Sequence, residues 1–316
     1  SRLSGGRFAL GVGRGIAVES GGSLRLAHDL IRAAAAGEIP DDRRRDIHRR
    51  LADWLAETAG VDVRRLREAV GHRHAAGTPC LDLAARLVRS PQRTLLGQDG
   101  LRLVASIADE VDPLDAEAFA LHWEVASLAS ELAEHDEALE RWSFVAERAE
   151  GAESQASALL AASRAAYGLA RSTEARELLE RSRAIGAGDE VVRLEQDTHE
   201  AAILLWLEQR VVEGHRLSRE TVAAAARLAT RSGGVAALDA RTRRVYIDAL
   251  RLDYEAAVME ADAKAMLRAA EAREAAARGF ELETYLGASL ALSLALRSDG
   301  RVREAIGRCR RVWVEA

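Results

Sequence analysis

His122 to Ala149, HWEVASLASELAEHDEALERWSFVAERA, decides how this chain folds. Val125, Ala126, Ala129 and Leu132 recur at helical spacing and share one face. Ala138, Leu139, Trp142 and Val145 do the same after a polar break at Glu134-His135-Asp136. The stretch therefore predicts two antiparallel helices joined by a tight turn. Ala138 is small enough for the two axes to come close, and Trp142, one turn on, fills the space beside that contact. A single hairpin of this kind cannot bury its own apolar face. It has to stack on others like it.

The chain supplies the others. LLAASRAAYGLARSTEARELLERSR, residues 159–183, aligns with the first hairpin, with Ala175 in the place of Ala138 and Leu179 in that of Trp142. LGASLALSLALRSDGRVREAIGRCRRVWVEA ends the chain in the same pattern, turning at Asp299-Gly300-Arg301, with Ala305 and Cys309 at the small and larger packing positions. Between them lie helices of less regular length, with stops at Ser232-Gly233-Gly234 and Arg278-Gly279. From about residue 117 to 316 the pattern resembles tetratricopeptide-like (TPR-like) repeats, whose period is about 34 residues. Such an array has a concave groove lined by the first helix of each hairpin. Trp206, Tyr246 and Tyr285 fall on first helices and are candidates to line a ligand or partner groove. Packing between helices is the plainer use of large aromatics.

Composition sets outer limits. The 316 residues are 48% hydrophobic and 4% aromatic, so the core is mostly alanine, leucine and valine. Four prolines and the lack of alternating apolar runs point to an all-α chain. The net charge of −5 offers no general attraction to nucleic acid or to an anionic membrane. No apolar window is long enough to span a bilayer. Cys80 and Cys309 lie far apart, which fits reduced thiols and a cytoplasmic protein better than a stapled scaffold. Cys80 sits at a predicted helix start, where a thiolate is favoured; a small buried residue is the plainer reading. The arginine cluster Arg241-Arg243-Arg244 and acidic pairs such as Glu195/Asp197 read as solvated surface. His72 and His74 point to different sides of their helix and make a poor metal pair.

The N-terminal part reads differently. GVGRG, Gly11 to Gly15, lacks the third glycine of a dinucleotide fingerprint, and the only lysine, Lys264, is nowhere near a Walker A loop. No catalytic constellation stands out, so the chain is not expected to be an enzyme and holds no cofactor of its own. Ile16, Val18, Leu24 and Leu26 alternate around Ser20-Gly21-Gly22-Ser23, which predicts a β-hairpin. Helices follow over about 29–36, then after Pro40 with Asp41 or Asp42 as cap, then to Gly77. Ile47, Leu51, Trp54 and Leu55 form the apolar stripe of the second. Thr78-Pro79 is expected to cap a helix that begins near Cys80.

Over residues 14–77 this order, with RLAHDLIR (Arg25 to Arg32), HRRLADWL (His48 to Leu55) and VGHRHAAG (Val70 to Gly77), resembles the winged-helix segment of STAND-type signalling ATPases, in particular LuxR/MalT-type transcription regulators. The family often carries an apolar residue or Tyr a few places after the arginine; here Ala33 to Ala36 stand there. The resemblance implies a parent protein with an ATPase core that binds ATP or ADP. His28 and Arg32 would sense its phosphates. A small-molecule inducer or a protein partner would bind the repeat arm, and the active parent would oligomerise. From the charge and the lack of a long apolar window, no direct contact of this chain with nucleic acid or membrane is expected. The start at SRLSGGRF is expected to be that of a fragment.

The resulting expectation is a winged-helix module with a β-hairpin at residues 1–77, a helical linker at 78–116, and a TPR-like solenoid at 117–316. The alternatives are a stand-alone TPR-like adaptor with no nucleotide switch and, less favoured, a helical-repeat enzyme.

Overall fold

The computed structural model describes residues 17–20, 23–26, 39–112, 115–185 and 188–315. The chain divides into two compact units, Ser1–Leu121 and His122–Ala316. Among the described residues, all regular structure after Leu26 is helical.

In the first unit β1 (Ala17–Ser20) pairs antiparallel with β2 (Ser23–Leu26), Ala17 opposite Leu26 and Ser20 opposite Ser23. The helix expected over 29–36, with His28 and Arg32, lies outside the described residues. Next come α1 (Asp41–Thr58), α2 (Val63–Ala75), α3 (Leu81–Val88), a 3-10 turn (Arg93–Leu96) and α4 (Gly97–Asp109). The residue preceding α1 is Pro40, not an aspartate; Asp41 and Asp42 sit in its first turn, where their charge favours the helix dipole. Asp62 caps α2, accepting from the Arg64 and Arg65 amides at 3.0 and 3.4 Å. Thr78 closes α2 rather than opening α3: its hydroxyl donates to the Arg73 carbonyl at 3.2 Å.

The expected stripe of α1 is rotated. Ala52 and Leu55 are buried, while Ile47, Leu51 and Trp54 stay exposed. Small Ala52 and Ala69, both fully buried, let α1 and α2 approach, and the bulky residues are left on the outer face. Arg73 ties three helices, reaching Asp53 at 3.1 Å and Asp82 at 3.1 Å.

The second unit begins within α5 (Ala116–Glu131) and continues through α6 (His135–Arg148), α7 (Ala152–Gly168), α8 (Ser172–Ala184), α9 (Glu190–Ala202), α10 (Val211–Arg231), α11 (Ala240–Met259), α12 (Ala263–Ala277), α13 (Leu282–Ser298) and α14 (Val302–Glu315). Helix α9 runs on into a π turn, Ile203–Leu207. Each successive pair is an antiparallel hairpin, and consecutive hairpins stack as a TPR-like array. Ala138 and Ala175 are fully buried, and Trp142 and Leu179 beside them nearly so. Ala305 is buried as its position predicts, whereas Cys309 is exposed.

One turn geometry recurs. The second residue past each first helix, or past the π turn that extends α9, is left-handed: Ala133 (φ 55°), Ala170 (φ 57°), Gln209 (φ 55°), Ala261 (φ 54°) and Gly300 (φ 81°). The next amide reaches back to close the helix, Glu134 to the Ala129 carbonyl and Arg171 to the Ala166 carbonyl, both at 3.0 Å. Only Gly300 adopts this region without a steric cost. Ala133→Gly and Ala170→Gly are therefore expected to raise stability by about 0.5–1 kcal/mol each, the relief of strain exceeding the added entropy of the unfolded chain. Urea titrations check this; a lower midpoint for both variants would contradict the strain argument.

Ions and hydroxyls stitch the seams between hairpins, with a different set at each. Arg176 and Arg183 of α8 reach Glu208 beyond α9 and Asp197 within it, both at 2.6 Å. Arg241 of α11 grips Glu195 of α9 through Nε and Nη2 at 2.9 and 3.1 Å. His215 of α10 lies 3.3 Å from Asp253 of α11 and 2.8 Å from Glu260 just past it. Buried Glu274 of α12 pairs with Arg308 of α14 and accepts from Ser289 of α13 at 3.4 Å.

Candidate functional site

The first helices α7, α9 and α11 lie side by side, and between them is an open recess of about 260 Å³. Helical spacing brings its wall together. Arg164 and Tyr167 come from one face of α7, three residues apart, Glu195, Thr198 and His199 from one face of α9, and Arg241, Arg244, Asp248 and Arg251 from one face of α11. Asp189 and Asp239 start the two latter helices by accepting from the Val191 and Thr242 amides at 2.7 and 2.9 Å, which fixes where those faces begin.

His199 forms the floor. Its Nε2 is 2.9 Å from the Ser163 hydroxyl, which donates in turn to the Ala175 carbonyl of α8 at 2.5 Å. The serine proton is thus committed, and His199 must be the donor at Nε2. Burial, and then the nearby charge of Arg164, push the imidazole down to about 3, so it is neutral at physiological pH. Tyr167 stands edge-on to it, ring centres 5.7 Å apart, and burial raises the phenol. Ser163 and His199 have the spacing of a nucleophile and its base. Ser163 is 0% exposed with its proton already placed, so the pair fastens three helices.

The guanidinium groups dominate the rim. Arg241 spends Nε and Nη2 on Glu195. Arg251 donates Nη1 to Glu255 at 2.7 Å and lies 3.8 Å from Asp248. Arg244 is paired with Glu281 and sits over the Phe280 ring at 5.4 Å. Arg164 is exposed and makes no ion pair with a described residue. Arg273 of α12 adds to the field at Arg251; burial and then Arg251 lower its pKa, and its Nε is buried without a hydrogen-bond partner.

The aromatics singled out from sequence lie elsewhere. Tyr246 and Tyr285 pack against one apolar cluster with Ile247, Leu250, Ala276, Ala277 and Ala288. Trp206 is on the π turn, 47% exposed, and its indole donates to Glu255 at 3.0 Å. Sequence reasoning missed Arg164, Tyr167 and His199, and it took Arg241, Arg243, Arg244 and Glu195 for solvated surface. In the fold Glu195 is buried and paired, and Arg243 is buried, capping α12 through the Ala276 carbonyl at 3.0 Å. Spacing three and four apart on α11 was the available signal, read there only as a charge cluster.

In the first unit the Nδ1 atoms of His48 and His72 are 2.8 Å apart. Burial, then His48, lower the His72 pKa. Cys80 is buried, and burial raises its thiol, opposite to the reactive reading. Among the described residues no cluster fits a metal ion, and no helix is long and apolar enough to cross a membrane.

No family model matches the chain, and no curated protein does. Among solved structures the chain is similar to BtubC from P. vanneervenii, at 14% identity and a TM-score of 0.43, over 87% of this chain and 90% of that one. It is similar to a Podospora anserina putative kinesin light chain with nearly identical TPR-like repeats, at 17% identity and a TM-score of 0.37, over 74% and 93%. It is also similar to a STAND protein with a tetratricopeptide repeat sensor from Pyrococcus horikoshii, at 9% identity and a TM-score of 0.35, over 98% and 57%.

Proposed function

We propose that this chain is the regulatory region of a STAND-type transcription regulator. Its TPR-like array, residues 117–316, reads an inducer or a protein partner. Residues 78–116 join that array to the N-terminal module, and residues 1–77 pass the result to a nucleotide switch in an ATPase core of the parent protein. The observation that supports the reading arm best is the open recess between the first helices α7, α9 and α11, where three ion-paired arginines and exposed Arg164 surround a neutral, buried floor. The motif order over residues 14–77 supports the switch. In this reading His28 and Arg32 hold the phosphates of ADP in the resting state, and the parent oligomerises with ATP. The effector must bind the open state better than the resting one, or it shifts nothing.

The test uses the parent protein with its ATPase core. His28→Ala and Arg32→Ala are expected to speed ADP release about tenfold, within the usual range of coupling energies. Unchanged release from both would end the switch reading. It would leave the second reading, a stand-alone TPR-like adaptor with no nucleotide switch.

A further inference from the structure

We propose that the exposed face of α13 docks a second copy of this chain, α13 against α13, antiparallel about a two-fold axis at Leu290.

The face is written into the helix as a palindrome. Glu283, Leu286, Leu290, Leu294 and Arg297 stand at −7, −4, 0, +4 and +7 about Leu290. At about 100° per residue, all five fall within about 40° of one line along the helix. They form one narrow seam, apolar in the middle with an acid at one end and a base at the other. Leu290 is 55% and Leu294 39% exposed, Leu286 is half-buried, and Glu283 and Arg297 are exposed. Helix α13 packs on α12 and α14, and that packing leaves the seam uncovered.

Earlier first helices leave no such seam. Leu290 stands ten residues, and Leu294 six, before the left-handed Gly300. Counted the same way from Ala261, the matching residues of α11 are Arg251 and Glu255, which pair with each other at 2.7 Å. Counted from Ala170, the matching residue of α7 is Leu160, which is only 1% exposed. The chain satisfies this place internally in both helices and leaves two leucines outside in α13.

Charge selects the occupant and its direction. Neither Glu283 nor Arg297 has an ion-pair partner among the described residues. They are about 21 Å apart along the helix, too far to pair with each other. In an antiparallel pair centred on Leu290, Glu283 of each copy meets Arg297 of the other, and Leu286 meets Leu294. A parallel pair would set acid on acid and base on base, so the flanking charges fix the orientation. The two-fold makes every contact twice from one patch. This pairing lies within the repeat array and needs neither nucleotide nor effector, which separates it from the ATP-dependent assembly proposed above for the parent.

The test is sedimentation velocity of the full 316-residue chain at low salt over a range of concentrations. The mass is expected to rise from one chain to two. Leu290→Arg is expected to hold it at one; the residue is on the surface, and circular dichroism verifies that the helices remain. Glu283→Arg and Arg297→Glu each create two like-charge contacts across the two-fold and are expected to weaken the dimer about tenfold. Combined in one chain they exchange the two ends, and association is expected to return to the wild-type level, a rescue that a folding defect would not give. One chain at every concentration overturns the proposal and leaves the seam to a partner of another kind. A dimer that survives Leu290→Arg places the contact elsewhere and overturns it as well. A double variant as weak as the single ones overturns the antiparallel pairing.

Discussion

Between pH 6.5 and about 3 this protein is expected to lose on the order of 5 kcal/mol of folding stability through His199 alone. The imidazole is buried and neutral, donating from Nε2 to Ser163, whose own proton goes to the Ala175 carbonyl. Protonation would place a cation where burial and the charge of Arg164 both oppose it. In the unfolded chain the same histidine takes up a proton near pH 6.5. The unfolded state thus binds more protons across this window, and stability rises with pH through it by about 1.4 kcal/mol per unit. Burial raises Asp197 and Asp253, and their contribution has the opposite slope, so the histidine term is best read by difference. His199→Gln, which retains an N–H donor, should flatten the dependence by about one proton. Parallel urea stability curves for wild type and variant down to pH 4 would refute the assignment. So would an NMR titration of the His199 ring with a midpoint near 6.5.

Trp142→Ala is expected to cost about 3–5 kcal/mol, the usual range for a buried large aromatic. The indole is 6% exposed and meets the Trp123 ring edge-on at 5.0 Å. Its Nε1 donates at 2.9 Å to the Ser130 hydroxyl, which donates back to the Ala126 carbonyl at 3.1 Å. Truncation empties the space between α5 and α6 and strips one partner from Ser130. Trp142→Phe keeps most of the volume and loses the hydrogen bond, so it should cost about 1–2 kcal/mol. Chemical denaturation of the two variants separates packing from polarity. Equal costs would mean that the cavity contributes little.

The hairpins were legible because alanine at Ala138 and Ala175 and a large neighbour at Trp142 and Leu179 follow from how two helices touch. That is a local rule, and sequence expresses it. The orientation of α1 was not legible. Ile47, Leu51 and Trp54 make the stronger stripe, yet the small side of the helix is the buried one. Hydrophobicity alone does not say which face permits the closer approach. The recess was invisible for a different reason. Arg164, His199 and Arg251 are far apart in sequence and meet only after three first helices stand side by side. Arg243 misled for a third reason, since a buried guanidinium that caps a neighbouring helix looks like any surface arginine until its acceptors are known.

The seams have a consequence for order. Alanine-rich faces are nearly interchangeable and would tolerate many neighbours. The matched partners across them are not: Arg176 with Glu208, Arg241 with Glu195, His215 with Asp253, Arg308 with Glu274. A chain with its hairpins permuted would part these pairs and leave buried Glu274 without its arginine. The array therefore has a grammar as well as a vocabulary, and grafting one of its units into another scaffold means carrying over the ions on both flanks.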